Sequence, residues 1–302
     1  MDHPLRSDTQ KVLRNRVVQL LNSGFNIIKN SNIVFVCGGN QAEDKRSEFE
    51  KIFTDLLPKY EFFKPEFAME NYFSYADDDP FDIADFEALV ADLSIAIVLF
   101  PEAPGSFAEL GYFSGQQELA TKTLLVLDSN HQKSGSFISL GPASKIAQKS
   151  IFKMPIQMDY KNPDFSLIST RLQEHTKITG RKRHFSPPTF KDLSSFELFA
   201  LIHRIVDILV IATGEDIESL LRSMFESKLS PSRIKKILSI LVGSGRLYEV
   251  GEFGHLAASK QRAFALSHVD GAKTEFTEIT VEISASLLEL NDGFAPILGK
   301  LD

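Results

Sequence analysis

Apolar residues follow two patterns along this chain, and the pattern changes near residue 159. Residues 9–22 carry Val12, Leu13, Val17, Leu20 and Leu21 at helical spacing, and Asn22, Ser23 and Gly24 can close that helix. The β-branched run of 32–39 stops at Gly38 and Gly39, which predicts a buried strand followed by a loop. The 43–60 stretch places Phe49, Ile52, Phe53, Leu56 and Leu57 on one face and reaches Pro58, so a helix is expected there. A short strand over 61–67, an acidic loop over 76–80 and an amphipathic helix over 83–93 follow. Residues 95–100 read as a third strand, Glu109 to Leu119 as a helix, and 121–128 as a fourth strand.

Uninterrupted apolar strands that alternate with helices indicate a parallel sheet covered on both faces. The expectation is therefore an α/β, Rossmann-like domain whose ligands sit beyond the carboxyl ends of its strands. The loops leaving those ends span 38–40, 64–66, 101–106 and 128–137.

From 159 to 192 the pattern breaks at Pro163, Gly180, Pro187 and Pro188, and a linker is expected. The basic run Arg181-Lys182-Arg183-His184 reads as a solvated loop rather than a nucleic-acid contact. Beyond it come an apolar helix over 193–213, a short helix over 216–225 and a helix over 230–245 that opens with Ser-Pro. That last helix carries Arg233, Lys235 and Lys236 near its start. The alternating stretch 246–259 turns at Gly251 and Gly254 and reads as a hairpin. This order is that of a winged helix-turn-helix, in which the basic helix and the hairpin commonly meet nucleic acid. A small helical domain for protein contacts is the alternative, and Glu249 and Glu252 on the hairpin weigh toward it. The expected organisation is an N-terminal helix (1–30), a sheet domain (31–158), a linker (159–192) and a winged-helix domain with a C-terminal extension (193–302).

Composition narrows the function classes. The 302 residues are 43% hydrophobic and 24% charged, which fits a packed protein with room for two domains. A net charge of -7 argues against global attraction to nucleic acid and leaves room only for a local basic patch. A single cysteine, Cys37, rules out an internal disulfide and fits a reducing, cytoplasmic setting. No stretch approaches the ~18 apolar residues that a membrane span needs, and the N-terminus lacks the form of a signal peptide, so a soluble protein without a membrane role is expected. The seven histidines are scattered without ligand spacing, so no metal site is expected. Cys37 reads as a buried small residue, Ser106 and Ser114 do not fit a nucleophile elbow, and Asp77-Asp78-Asp79 read as a solvated loop or a lid.

The stretch 94–115 holds the candidate chemistry. An apolar strand breaks at Pro101-Glu102-Ala103-Pro104-Gly105-Ser106, and Glu109 follows. A Gly-Ser turn into a helix offers backbone N–H groups to an oxygen-rich ligand. An acid in a first helical turn also stabilises the helix. The run of small residues before Glu109 lets a ligand come close, and Glu66 and Glu87 fall where they could reach the same crevice. Glycosyl transfer uses such carboxylates to stabilise an oxocarbenium-like carbon and to manage protons. When the leaving base is already cationic, as nicotinamide is in NAD, one well-placed carboxylate suffices.

The segment Gly105-Ser-Phe-Ala-Glu-Leu-Gly-Tyr112 resembles the signature of nucleoside 2-deoxyribosyltransferases, with Ser106 in place of a threonine. The glycines after the first strand, Phe62 to Glu66, the string Phe100 to Gly111 and Ser136 to Pro142 are together similar to type II retron effectors. Those proteins couple such a domain to a C-terminal winged helix. The resemblance implies Glu109 as the catalytic carboxylate and Glu87 as its support. It implies Gly38, Gly39, Asn40, Glu66, Gly105 and Ser106 as substrate-binding residues, and Arg233, Lys235 and Lys236 as the nucleic-acid or partner contact. The transferases' aspartate before the glycine is absent here. The implied activity is N-glycosidic cleavage of a nucleotide, with NAD as substrate rather than cofactor and no other cofactor needed. The implied role is a toxic anti-phage effector restrained by the retron reverse transcriptase and its msDNA, in a homo-oligomer or larger assembly. Base exchange on free nucleosides and a nucleotide-sensing regulator of transcription are the alternatives.

Overall fold

The computed structural model describes residues 3–28, 31–64, 66, 83–131, 135–178, 181–187, 189–190, 193–225, 230–251, 253–261, 264–290, 292–299 and 301, without the side chains of 83–87. From the N-terminus the chain forms α1 (Lys11–Ser23), β1 (Phe25–Ile28), β2 (Ile33–Cys37), α2 (Lys45–Leu56), β3 (Glu61–Phe63), α3 (Ile83–Leu93) and β4 (Ala96–Leu99). It continues with α4 (Pro104–Gly115), α5 (Gln117–Lys122), β5 (Thr123–Asp128), α6 (Ser144–Lys149), β6 (Ile156–Met158), α7 (Ser166–His175) and β7 (Lys182–Phe185). The rest comprises α8 (Ser195–Leu209), α9 (Gly214–Phe225), α10 (Pro231–Gly243), β8 (Leu247–Val250), β9 (His255–Ala258), β10 (Leu266–His268), α11 (Ala272–Leu290) and α12 (Ala295–Leu298). The acidic loop of 76–80 and Glu252 lie outside the described residues.

The chain divides into two compact units. The first comprises 30–65 and 82–179, and its five strands are all parallel, in the order β3-β2-β4-β5-β6. Strands β2 and β4 are buried along their whole length and β5 up to Leu127, as a sheet with both faces covered requires. Phe49 and Phe53 of α2 pack with Val34, Val36, Val98, Phe100 and Val126 in one core cluster. Phe165, Ile168 and Leu172 complete that cluster. The expected linker therefore differs from what is found. Residues 166–175 are a helix that buries Ile168, Ser169 and Leu172 in the sheet unit, and 182–185 are a strand. The sheet also gains a fifth strand, β6, beyond the four expected.

Strand order reverses between β2 and β4, since the chain goes outward to β3 on one side and to β5 and β6 on the other. In parallel sheets of this order, the crevice outside the carboxyl ends at that reversal is where ligands bind. The register sets Cys37 beside Leu99, which brings the Gly38-Gly39 loop level with the chain leaving β4.

The second unit comprises 1–29 and 180–302, and Glu66 groups with it. The N-terminal helix is thus part of this unit rather than a separate piece. Strand β1 pairs antiparallel with both β7 and β10, joining residues far apart in sequence. Helices α8, α9 and α10 are followed by the β8–β9 hairpin, and Ala212, between α8 and α9, bridges to Leu256 of β9. Helix α8 starts at a capping box, in which the Ser194 hydroxyl accepts from the Glu197 N–H and the Glu197 carboxylate accepts from the Ser194 N–H. Gly251 and Gly254 turn the hairpin with φ of 73° and 69°, a region that an L side chain enters only at a cost.

This unit buries the guanidinium groups of Arg204 and Arg246. The Arg204 guanidinium ion-pairs with Asp207, donates to the Leu266 carbonyl at 2.5 Å and lies 4.9 Å from the Phe25 ring centre. Beside it His203 is 2% exposed. Burial, then the cations Arg204 and Arg246, push the His203 pKa down to about 3.

Candidate active site

Helix α4 begins five residues earlier than the sequence pattern suggests, at Pro104 rather than at Glu109. Proline at the first helical position costs no hydrogen bond, and Pro104 occupies it. Glu109 consequently lies in the second turn of α4, so stabilising the first turn does not account for it. It is half-buried, flanked by the buried Ser106, Leu110 and Phe113, and its Oε2 is shielded from solvent.

Ser106 is 2% exposed, and its bonds close the turn that starts the helix. Its Oγ accepts from the backbone N–H of Glu102 and of Ala103, each at 3.0 Å, and donates to the Ala103 carbonyl at 2.9 Å. Gly105 is exposed, and a Cβ there would meet nothing within 4 Å, so this side of the turn is open.

A residue to which the sequence pattern gives no prominence, Glu102, ties the crevice together. Its Oε1 accepts from the N–H of Gly39 at 3.0 Å and of Arg46 at 3.1 Å, and its Oε2 from the N–H of Lys45 at 2.6 Å. The N-cap residue of α2, Asp44, makes no capping bond with its own side chain. Glu102 supplies the cap instead, from the neighbouring loop, and so joins the β2 and β4 loops across the point where strand order reverses. Burial pushes the Glu102 carboxyl above its usual pKa, against the lowering effect of those three N–H donors.

The two glycines of the first loop follow from this arrangement. A Cβ on Gly38 would lie 2.8 Å from Glu102 Oε1 and from Arg46 Cβ, and one on Gly39 would collide with Asp44 Oδ2. Close approach of the protein's own groups thus requires glycine at both positions. Asn40 beyond them is exposed, and its Oδ1 accepts from the Gln41 amide at 3.2 Å.

Further along the same sheet edge, Asp128 closes β5 and Tyr160 follows β6. The Tyr160 hydroxyl donates to the Val126 carbonyl at 3.0 Å. Burial, and then the nearby charges of Glu102 and Asp128, push its pKa up. Asp128 Oδ2 lies 2.5 Å from His131 Nδ1, and the Asn130 amide bridges Asp128 and Asp159 at 3.2 and 2.8 Å. Burial acts to raise the Asp128 pKa, but the hydrogen bonds from Asn130 and His131 outweigh it and hold the group below its usual value.

The remaining residues fall elsewhere. Glu87 is on α3, with its side chain outside the described residues. Glu66 groups with the second unit. Arg233 is exposed and Lys235 and Lys236 are half-buried on α10, all remote in sequence from the sheet. Cys37 is buried at the end of β2. Among the described residues no cluster of His, Cys, Asp or Glu could hold a metal ion. No helix among them is long and apolar enough to cross a membrane.

The first unit is thus an α/β unit in which the Glu102 carboxylate joins two loops at the reversal point of a parallel sheet. Residues 42–249 match the family described as STM3845 retron effector protein, and the chain belongs to that family. Two Escherichia coli relatives carry names that propose a ribosyltransferase/DNA-binding role. The retron Ec86 protein is 31% identical over 128 residues, and the retron Ec73 protein is 28% identical over 121 residues. The matches cover 40% and 39% of this chain, and 40% and 38% of the length of those relatives.

Proposed function

We propose that this retron effector cleaves the N-glycosidic bond of a nucleotide, most readily that of NAD, and that Glu109 is the carboxylate at the reacting carbon. The observation that carries the reading is the half-buried Glu109 on the helix that begins just beyond β4, at the crevice where strand order reverses. In the reaction, the bond between the ribose C1′ and the nicotinamide nitrogen breaks. The bonding pair goes to the ring, which becomes neutral, and no proton is needed for departure. The Glu109 carboxylate stabilises the oxocarbenium-like carbon or bonds to it, and water then supplies the hydroxyl and releases a proton. Glu87 on α3 is the supporting acid in this reading. Gly105 and Asn40 present open backbone toward the substrate, while Gly38, Gly39 and Ser106 shape the loops.

A second reading keeps the site and replaces water by another base, giving exchange rather than hydrolysis. The names of the two Escherichia coli relatives favour it.

The order α8, α9, α10 and hairpin, with Ala212 bridged to Leu256, is read as a winged helix. It would hold the retron reverse transcriptase or its branched RNA–DNA product and so restrain the enzyme. Replacing Arg233, Lys235 and Lys236 together by Ala is expected to weaken that association. The slope of log affinity against log salt should fall by about 0.7–0.9 for each phosphate that is no longer neutralised, as fluorescence anisotropy would measure. An unchanged slope would assign the binding to another surface.

The function itself is tested in cells that express the effector with and without the reverse transcriptase and noncoding RNA. NAD is expected to collapse only without them. Growth arrest with NAD intact would refute the substrate assignment.

A further inference from the structure

Helix α2 and the loop before it form, by position, the first turn of a doubly wound sheet. There, backbone N–H groups and the positive helix terminus ordinarily face a ligand phosphate. Here that seat is filled from within. Gly39, Lys45 and Arg46 direct their N–H groups at the Glu102 carboxylate at 2.6–3.1 Å. The Glu102 backbone N–H is in turn held by Ser106 Oγ, so the carboxylate is fixed from both ends. Gly38 gives the carboxylate the space it occupies, since a Cβ there would lie 2.8 Å from Oε1.

We propose that Glu102 is a specificity determinant: its carboxylate occupies the anion seat of the first loop and turns substrate phosphates away from it. The part of the ligand that enters between the β2 and β4 loops is then the ribose with its base. A carboxylate there repels phosphate by charge and favours a cationic ring, while the phosphates of a dinucleotide lie on the open Gly105 side. The inference rests on the proposed function for the identity of the substrate, but the occupied seat can be tested without turnover.

The test uses the full chain and inorganic phosphate. Thermal unfolding is followed as phosphate is added, with sodium chloride at matched ionic strength as the reference. The wild type should show at most a weak phosphate-specific shift, from the open Gly105 side. Glu102→Ala empties the seat and should show a saturable rise in Tm. Glu102→Gln keeps the side-chain volume and removes the charge, so it serves if the alanine variant does not fold. For it, the ratio of kcat/KM on a nucleoside 5′-monophosphate to that on the nucleoside should rise at least ~10-fold, the size expected when a like-charge repulsion is removed. A phosphate effect equal in wild type and Glu102→Ala, or an unchanged ratio in Glu102→Gln, overturns the inference. Failure of the glycosidase reading would look different: no base release from any substrate, with the phosphate response of Glu102→Ala intact.

Discussion

Replacing Glu109 with Gln is expected to lower N-glycosidic cleavage by about 1,000-fold, roughly 4 kcal/mol of transition-state stabilisation. Gln has nearly the same volume and keeps one acceptor oxygen, so the neighbours Leu110 and Phe113, both buried, stay packed. In the proposed reaction, what disappears is the negative charge facing a carbon that becomes positive as the base departs. Uniform binding of the substrate depends on other groups, so kcat should fall while KM changes little. A thermal midpoint within a few degrees of wild type, on the ~0.5 kcal/mol scale of mild substitutions, would locate the effect in chemistry. Retention of full activity by this variant would remove Glu109 from the reaction. In the proposed role, the same variant should also relieve growth arrest in cells that express the effector alone.

The second large effect concerns stability and pH. His203 is buried beside Arg204 and Arg246, with its pKa lowered from 6.5 to about 3. The unfolded chain takes up a proton on this imidazole below its ordinary pKa, and the folded chain does not until much lower pH. Protonation therefore favours the unfolded state, and stability is lost as pH falls from about 6.5 toward 3. The full loss is about 4–5 kcal/mol, with about 2 kcal/mol of it reached by about pH 5. A His203→Leu variant removes the linkage. Its urea midpoint should move less than that of wild type between pH 7 and 5, whatever its absolute stability at pH 7. Parallel shifts in the two proteins would mean that other groups carry the acid sensitivity.

Much of the first unit was legible because its strands are continuous apolar runs. The runs ending at Cys37, Leu99 and Asp128 need no tertiary knowledge to read. Strand β6 was not legible, since Ile156–Met158 is only three residues long with an exposed Gln157 at its centre. The β1, β7 and β10 sheet escaped for a different reason. Its strands are joined only by pairings such as Phe25 with His268, across most of the chain. Proline and glycine made 104–105 look like loop, although proline at a first helical position is at home. The glutamate at 109 stood out because small residues precede it. Glu102 did not, because its role is defined by partners on another loop, at Gly39, Lys45 and Arg46. The only local signal was an acid placed just beyond a strand end, level with a Gly-Gly loop on the adjacent strand.

Hydrolysis of the N-glycosidic bond of NAD is the proposed reaction of this site. It is tested most directly by incubating the purified chain with NAD in heavy-oxygen water and analysing the products by mass spectrometry. Equal amounts of nicotinamide and ADP-ribose are expected, with the heavy oxygen on the anomeric carbon, and neither product with Glu109→Gln. Intact NAD, under conditions where a deoxynucleoside exchanges its base, would contradict it.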